Sequence, residues 1–125
     1  LLAEEIRRPV HFEAASFDCG GIQKDGFTID GPATLAEYAR VHEANLARLA
    51  DEQAFLRNQG VQAVVSDVAS FPLRVAHALG IPGIAVGNFS WEDIYAPLVV
   101  ENRSYEKMLE EIASEYRLAT KAIRL

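Results

Sequence analysis

Two abrupt polar exits from short apolar runs carry most of the chemistry available to this chain. Ala63-Val64-Val65 turns polar at Ser66-Asp67, and Ile84-Ala85-Val86 ends in Gly87-Asn88, directly before Phe89-Ser90-Trp91. Both runs are too short for a helix and rich in β-branched residues, the pattern of buried strands. Between them, Ser70 is placed to cap a helix, Pro72 fits its first turn, and Phe71, Val75, Ala76 and Leu79 recur at helical spacing until Gly80 stops it. A strand–helix–strand unit makes the two strands parallel, so Asp67 and Asn88 leave the sheet at one edge. In open α/β sheets that edge is where ligands bind.

The loop that follows Ser16 is expected to leave at the same edge. Asp18, Gly20 and Gln23 would then approach Ser66, Asp67, Asn88, Ser90 and Trp91 around one cleft. Polar groups there could orient hydroxyls while an aromatic ring covers an apolar sugar face. Blander readings compete at each position. Asp67 also suits a turn or helix cap, Trp91 with Phe89 and Tyr95 suits a small satellite core, and His42 sits on a helical apolar stripe as a packed histidine would. His11 and His77 point to no chemistry. Gly20-Gly21 lacks the full dinucleotide fingerprint, and no phosphate loop is present. Cys19 and the histidines share no metal-ligand spacing, so neither cofactor nor metal is expected.

The elements that must position these residues follow from periodicity. Basic residues after an apolar start suggest a helix end over residues 1–8, closed by Pro9. Val10, Phe12 and Ala14 alternate as a first strand would. Residues 17–31 are turn chemistry, a long loop. Thr34 and Glu37 fit a capping box for a long amphipathic helix that carries Leu35, Tyr38, His42, Leu46, Leu49 and Leu56 to the neighbourhood of Gly60. Ser90 could cap a short turn running to Tyr95, broken by Pro97. A last helix from Asn102 or Ser104 would align Tyr105, Met108, Leu109, Ile112, Tyr116, Ala119 and Ile123. This β-α-β-α-β-α order predicts an α/β, Rossmann-like three-layer sandwich with a mostly parallel sheet covered on both faces.

Composition sets the outer bounds. The 125 residues, 50% hydrophobic and 24% charged, suit one globular domain. A net charge of -6 with scattered Lys and Arg argues against a nucleic-acid partner. No run is long enough to span a membrane, no signal peptide opens the chain, and the one cysteine fits a reducing compartment, so a cytoplasmic location is the default. The chain opens at Leu1, holds its one Met at Met108 and keeps a helical pattern up to Leu125, so all of residues 1–125 read as a partial domain from a longer protein. A doubly wound half cut short would leave apolar strand surface uncovered, which predicts a homodimer or a partner segment.

One set of residues carries a resemblance. Asp18-Cys19-Gly20-Gly21-Ile22-Gln23, Thr28-Ile29-Asp30, Ala33-Thr34-Leu35, Val64-Val65-Ser66-Asp67, Ala76, Leu79-Gly80-Ile81-Pro82 and Val86-Gly87-Asn88-Phe89-Ser90-Trp91 with Ile94-Tyr95 all lie within one segment, residues 18–116. Together they resemble the amino-terminal, acceptor-side half of GT-B-fold glycosyltransferases. The likeness is greatest to predicted bacterial glycosyltransferases and to the glycosyltransferase-like domain of plant L-arabinokinase. The resemblance implies one Rossmann-like half that holds a hydroxyl acceptor, while a missing second half binds the nucleotide-sugar. It gives Asp67 the role of orienting a histidine base, although the loop that carries such a base is not in this chain. It also implies acceptor contacts from Asn88 and Ser90, stacking by Trp91, and no sugar transfer by this chain alone. A non-catalytic sugar- or nucleotide-sugar-binding module is the alternative, and a purely structural domain is a third.

Overall fold

The computed structural model describes residues 8–125. The helix end expected over residues 1–8 therefore lies, apart from Arg8, outside the described residues. In chain order the elements are α1 (Gly31–Asn58), β1 (Val64–Asp67), α2 (Phe71–Leu79), β2 (Gly83–Gly87), α3 (Trp91–Val100), a 3-10 turn (Arg103–Tyr105), α4 (Glu106–Arg117) and β3 (Lys121–Arg124). The strands form one parallel sheet in the order β1-β2-β3, with Val65 opposite Ile84 and Ile84 opposite Lys121. This is the expected α/β, Rossmann-like arrangement, and its central β1-α2-β2 unit matches the sequence reading closely. Gly80 ends α2 in the left-handed conformation, φ 69°, as a helix-stopping glycine does.

The third strand is not the expected one. Val10, Phe12 and Ala14 lie in exposed, unpaired chain, and His11 bonds Glu13 and rests its ring near Phe55 of α1. The sheet instead recruits residues 121–124, which the helical spacing of Ala119 and Ile123 had assigned to the last helix. Thr120 explains the switch, because its N–H donates to the Gly83 carbonyl at 2.8 Å and its hydroxyl accepts from Gly83 N–H at 3.3 Å. These bonds lay the following residues along β2, where ladder hydrogen bonds replace a further helical turn.

Two helix starts also differ from expectation. α1 begins at Gly31, capped by the Asp30 side chain, which accepts from Ala33 N–H at 3.0 Å. Thr34 is buried and accepts from Ile22 N–H at 2.9 Å, so it pins the preceding loop while Glu37 pairs with Arg40. Ser70 makes no capping bond to α2. Its hydroxyl donates to the buried Glu115 carboxylate at 2.6 Å, and Arg74 reaches the same carboxylate at 3.3 Å. α3 is capped by Ser90 as expected, in a reciprocal box with Asp93, but it continues through Pro97 to Val100.

Small residues let α2 lie close to the sheet. A Cβ on Gly83 would stand 3.3 Å from Ala76 Cβ and from Leu73 Cδ2, and the register puts Ser66, Ala85 and Ala122 on the same face. On the opposite face Val65 and Ile123 stay 66% and 42% exposed, so the expected second helical layer does not cover them. The main core sits beside the sheet, between helices, where Leu35 and Tyr38 of α1 meet Tyr95 and Val99 of α3 and Met108 and Ile112 of α4. Tyr38 and Tyr95 pack edge to face at 4.8 Å. No helix among the described residues is long and apolar enough to cross a membrane.

Burial pushes the phenols of Tyr38 and Tyr95 well above their ordinary range. Each folded-state value exceeds the unfolded value of about 10, so the stability this confers is complete below that pH and is lost progressively as pH rises from there through the raised folded-state values. Alkaline titration should therefore show tyrosinate absorbance appearing together with loss of helical circular dichroism. Ionisation of every tyrosine with the fold intact would contradict this packing.

Candidate functional site

The carboxyl edge of the sheet is built around a strained turn. Val68, just past β1, has φ 63°, a left-handed conformation that a β-branched residue rarely adopts. Four hydrogen bonds hold it there. Val68 N–H extends the ladder to the Val86 carbonyl at 2.9 Å, and Ala69 N–H closes a three-residue turn onto the Asp67 carbonyl at 2.8 Å. The Ser66 hydroxyl donates to the Ala69 carbonyl at 2.6 Å, and the Tyr116 hydroxyl donates to the Val68 carbonyl, also at 2.6 Å. Such strain persists only where the surroundings over-determine it, and it concentrates at functional sites.

Beside this turn lies a cleft of about 460 Å³. It is walled by Val68, Asn88, Phe89, Ser90, Tyr116 and Arg124, with strand residues of β2 and β3 as its floor. The Tyr116 hydroxyl also accepts from Trp91 N–H at 3.0 Å, so one phenol joins the β1–α2 turn to the start of α3. Burial raises its pKa to about 12, which keeps the hydroxyl protonated as the donor Val68 needs. Ser90 donates its backbone N–H and its hydroxyl to the Asp93 carboxylate, at 3.0 and 2.7 Å, and these bonds hold that carboxyl below the usual range. Phe89, 41% exposed, offers a ring at the mouth.

The sequence-chosen residues fall into three groups. Asn88 and Ser90 line the cleft. Asp18 and Gly20 do meet Trp91, as expected, since the indole N–H donates to the Asp18 carboxylate at 2.9 Å and a Cβ on Gly20 would stand 4.0 Å from the indole ring. Gly20 also accepts from the Tyr95 hydroxyl at 3.0 Å. Trp91 is half-buried and stacks on Tyr95 with centroids 5.3 Å apart, so its ring is engaged in packing and does not line the cleft. The third group is dispersed. Gln23 sits in an exposed hairpin bridged to Ile29, Ser66 is buried with its hydroxyl used in the strained turn, and Asp67 is exposed outside the lining. Asp67 and Asn88 nevertheless leave the sheet at the same edge, since Asp67 pairs in register with Val86.

Tyr116, Val68 and Arg124 escaped the sequence reading. Tyr116 fitted an apolar helical stripe, where the only signal was its hydroxyl. Arg124 was hidden in a misassigned helix, and nothing in the sequence marks Val68 as strained. Among the described residues no cluster of His, Cys, Asp and Glu could hold a metal ion.

Fold and site together define a Rossmann-like α/β arrangement with a cleft at the carboxyl edge of a parallel sheet. The chain is distantly related to L-arabinokinase of Arabidopsis thaliana, with 31% identity over 128 aligned positions that take in 100% of this chain. The match covers 12% of that relative, so the chain spans about an eighth of its length. No family model and no solved structure matches the chain.

Removing the Tyr116 hydroxyl leaves the Val68 carbonyl and the Trp91 N–H without their partner. Tyr116→Phe should cost roughly 1–3 kcal/mol in urea unfolding. Val68→Gly should be less favourable in that background than in the parent, because a turn released from the hydrogen bond relaxes by itself and leaves less strain for glycine to relieve. Simple additivity of the two changes would show that the bond and the strain are independent.

Proposed function

We propose that this chain is the acceptor-binding portion of a GT-B-type glycosyltransferase, which moves a sugar from a nucleotide-sugar onto a hydroxyl of the molecule held in the cleft. The observation that carries the reading is the gathering of Asn88, Ser90 and the Phe89 ring around one cleft at the carboxyl edge of the sheet. The Asn88 amide makes no hydrogen bond among the described residues and can both donate to and accept from a hydroxyl. Ser90 keeps one lone pair beyond its capping bonds, so it serves as an acceptor only. Phe89 covers an apolar sugar face, with Trp91 stacked behind it in T-shaped contact at 5.3 Å. The name of the relative, L-arabinokinase, supports a sugar as the ligand class.

In this reading Asp67 acts outside the cleft. Its exposed carboxylate would orient a base from another part of a longer protein, and that base would take the acceptor's proton as its oxygen attacks the donor sugar. Nucleotide-sugar binding would also come from elsewhere. The isolated chain is therefore a binding unit without turnover. A second reading, a non-catalytic sugar-binding module of a longer kinase, draws on the relative's name and on the position of Asp67 away from the cleft.

Titration with neutral sugars, followed by the fluorescence of the one tryptophan, tests the site. Asn88→Ala should weaken sugar binding several-fold, for the loss of about 1 kcal/mol, while Asp67→Asn leaves affinity unchanged. Release of nucleotide from a nucleotide-sugar by this chain alone would sink the division of labour. Equal sugar affinity in the parent and Asn88→Ala would remove the cleft from consideration.

A further inference from the structure

One charge in the cleft has no ion-pair partner among the described residues. The polar lining of the cleft consists of Asn88, Ser90, Asp93, Tyr116 and Arg124. Tyr116 spends its hydroxyl on Val68 and Trp91, and Ser90 and Asp93 bond each other. Arg124 forms neither an ion pair nor a side-chain hydrogen bond among the described residues. Its charge helps to lower the Asp93 carboxyl, so it is near, yet the two do not pair. The Asp93 charge is meanwhile taken up by two donors from Ser90 and by the start of α3.

We propose that the cleft takes a sugar bearing an anionic group, carboxylate or phosphate, with the Arg124 guanidinium on the anion, Asn88 on a ring hydroxyl and Phe89 against the ring. This deepens the acceptor assignment and rests on it. A planar guanidinium with all its donors free matches either anion in a two-pronged contact, which a neutral sugar cannot use. The carbonyl edge of β3 delivers this side chain to the cleft because Arg124 pairs in register with Gly87, the residue before Asn88. Ring, amide and cation thus come from the carboxyl ends of two neighbouring strands, with Asn88 and Phe89 just past β2 and Arg124 last in β3.

Calorimetric titration of the chain with glucose, glucuronate, a glucose phosphate and inorganic phosphate separates the possibilities. Both anionic sugars should bind at least about tenfold tighter than glucose at low salt, and the advantage should shrink as salt is added. Arg124→Met should reduce both to the affinity that glucose has for the same variant, and an unchanged helical circular dichroism spectrum certifies that the variant is folded. Arg124→Lys, which keeps the charge and loses the fork, should fall between. Equal binding of glucose and the anionic sugars, or an advantage that survives Arg124→Met, would overturn the proposal and leave the acceptor assignment standing. Inorganic phosphate binding as tightly as glucose phosphate, with glucuronate no better than glucose, would mean an adventitious ion only and equally overturn it. If no sugar binds at all, the acceptor assignment fails and this proposal falls with it.

Discussion

The Tyr116 hydroxyl is the contact on which the functional edge depends. It donates to the Val68 carbonyl and accepts from Trp91 N–H, so one oxygen from α4 couples the exit of β1 to the entry of α3. Without it, the left-handed turn at Val68 would lose one of its four restraints and the capped start of α3 would lose its tie to the sheet. The phenol can act this way because α4 is fixed by its own core residues, Met108 and Ile112, and by the bond from Ser70 to Glu115 one residue before it.

A division of labour between the two halves of the structure follows. The helices supply the apolar core, with Tyr38, Tyr95 and Leu35 nearly inaccessible to water. The sheet is thin and small-residued on the α2 side, where Gly83 admits the helix, and it supplies direction more than burial. Parallel strands bring their carboxyl ends to one edge, and the residues just beyond those ends are free to be polar because they are released from the packed layer. The long loop before α1 is held against this edge by polar bonds, chiefly Asp18 to Trp91, Gly20 to Tyr95, Ile22 to Thr34 and Phe17 to Asn45. Those bonds give an irregular segment a defined place without a core of its own.

The distant relation to L-arabinokinase and the cleft at the carboxyl edge are separate observations. The relation concerns the whole chain, whereas the cleft concerns a handful of side chains. The Gly87-Asn88-Phe89-Ser90-Trp91 run brings Asn88, Phe89 and Ser90 to the cleft, and Ser90 also caps α3.

Local patterns were sufficient for the β1-α2-β2 unit and for the common exit of Asp67 and Asn88. Each rests on short-range rules: apolar runs bounded by turns, a glycine stop, and the parallel sense of a strand–helix–strand unit. The same rules misplaced the third strand, because Ala119 and Ile123 satisfy a helical period while Lys121–Arg124 can equally lie along a sheet. Only the free edge of β2 and the Thr120 bonds to Gly83 decide between them, and these are contacts across 37 residues. The caps show the same divide. Ser90 caps α3 with its immediate neighbour in the helix, but Ser70 and Thr34 forgo capping for partners that folding brings from afar. Arg124 and Tyr116 entered the site for that reason: a side chain's type is written in the sequence, but the group it will face is set by which distant elements pack against it.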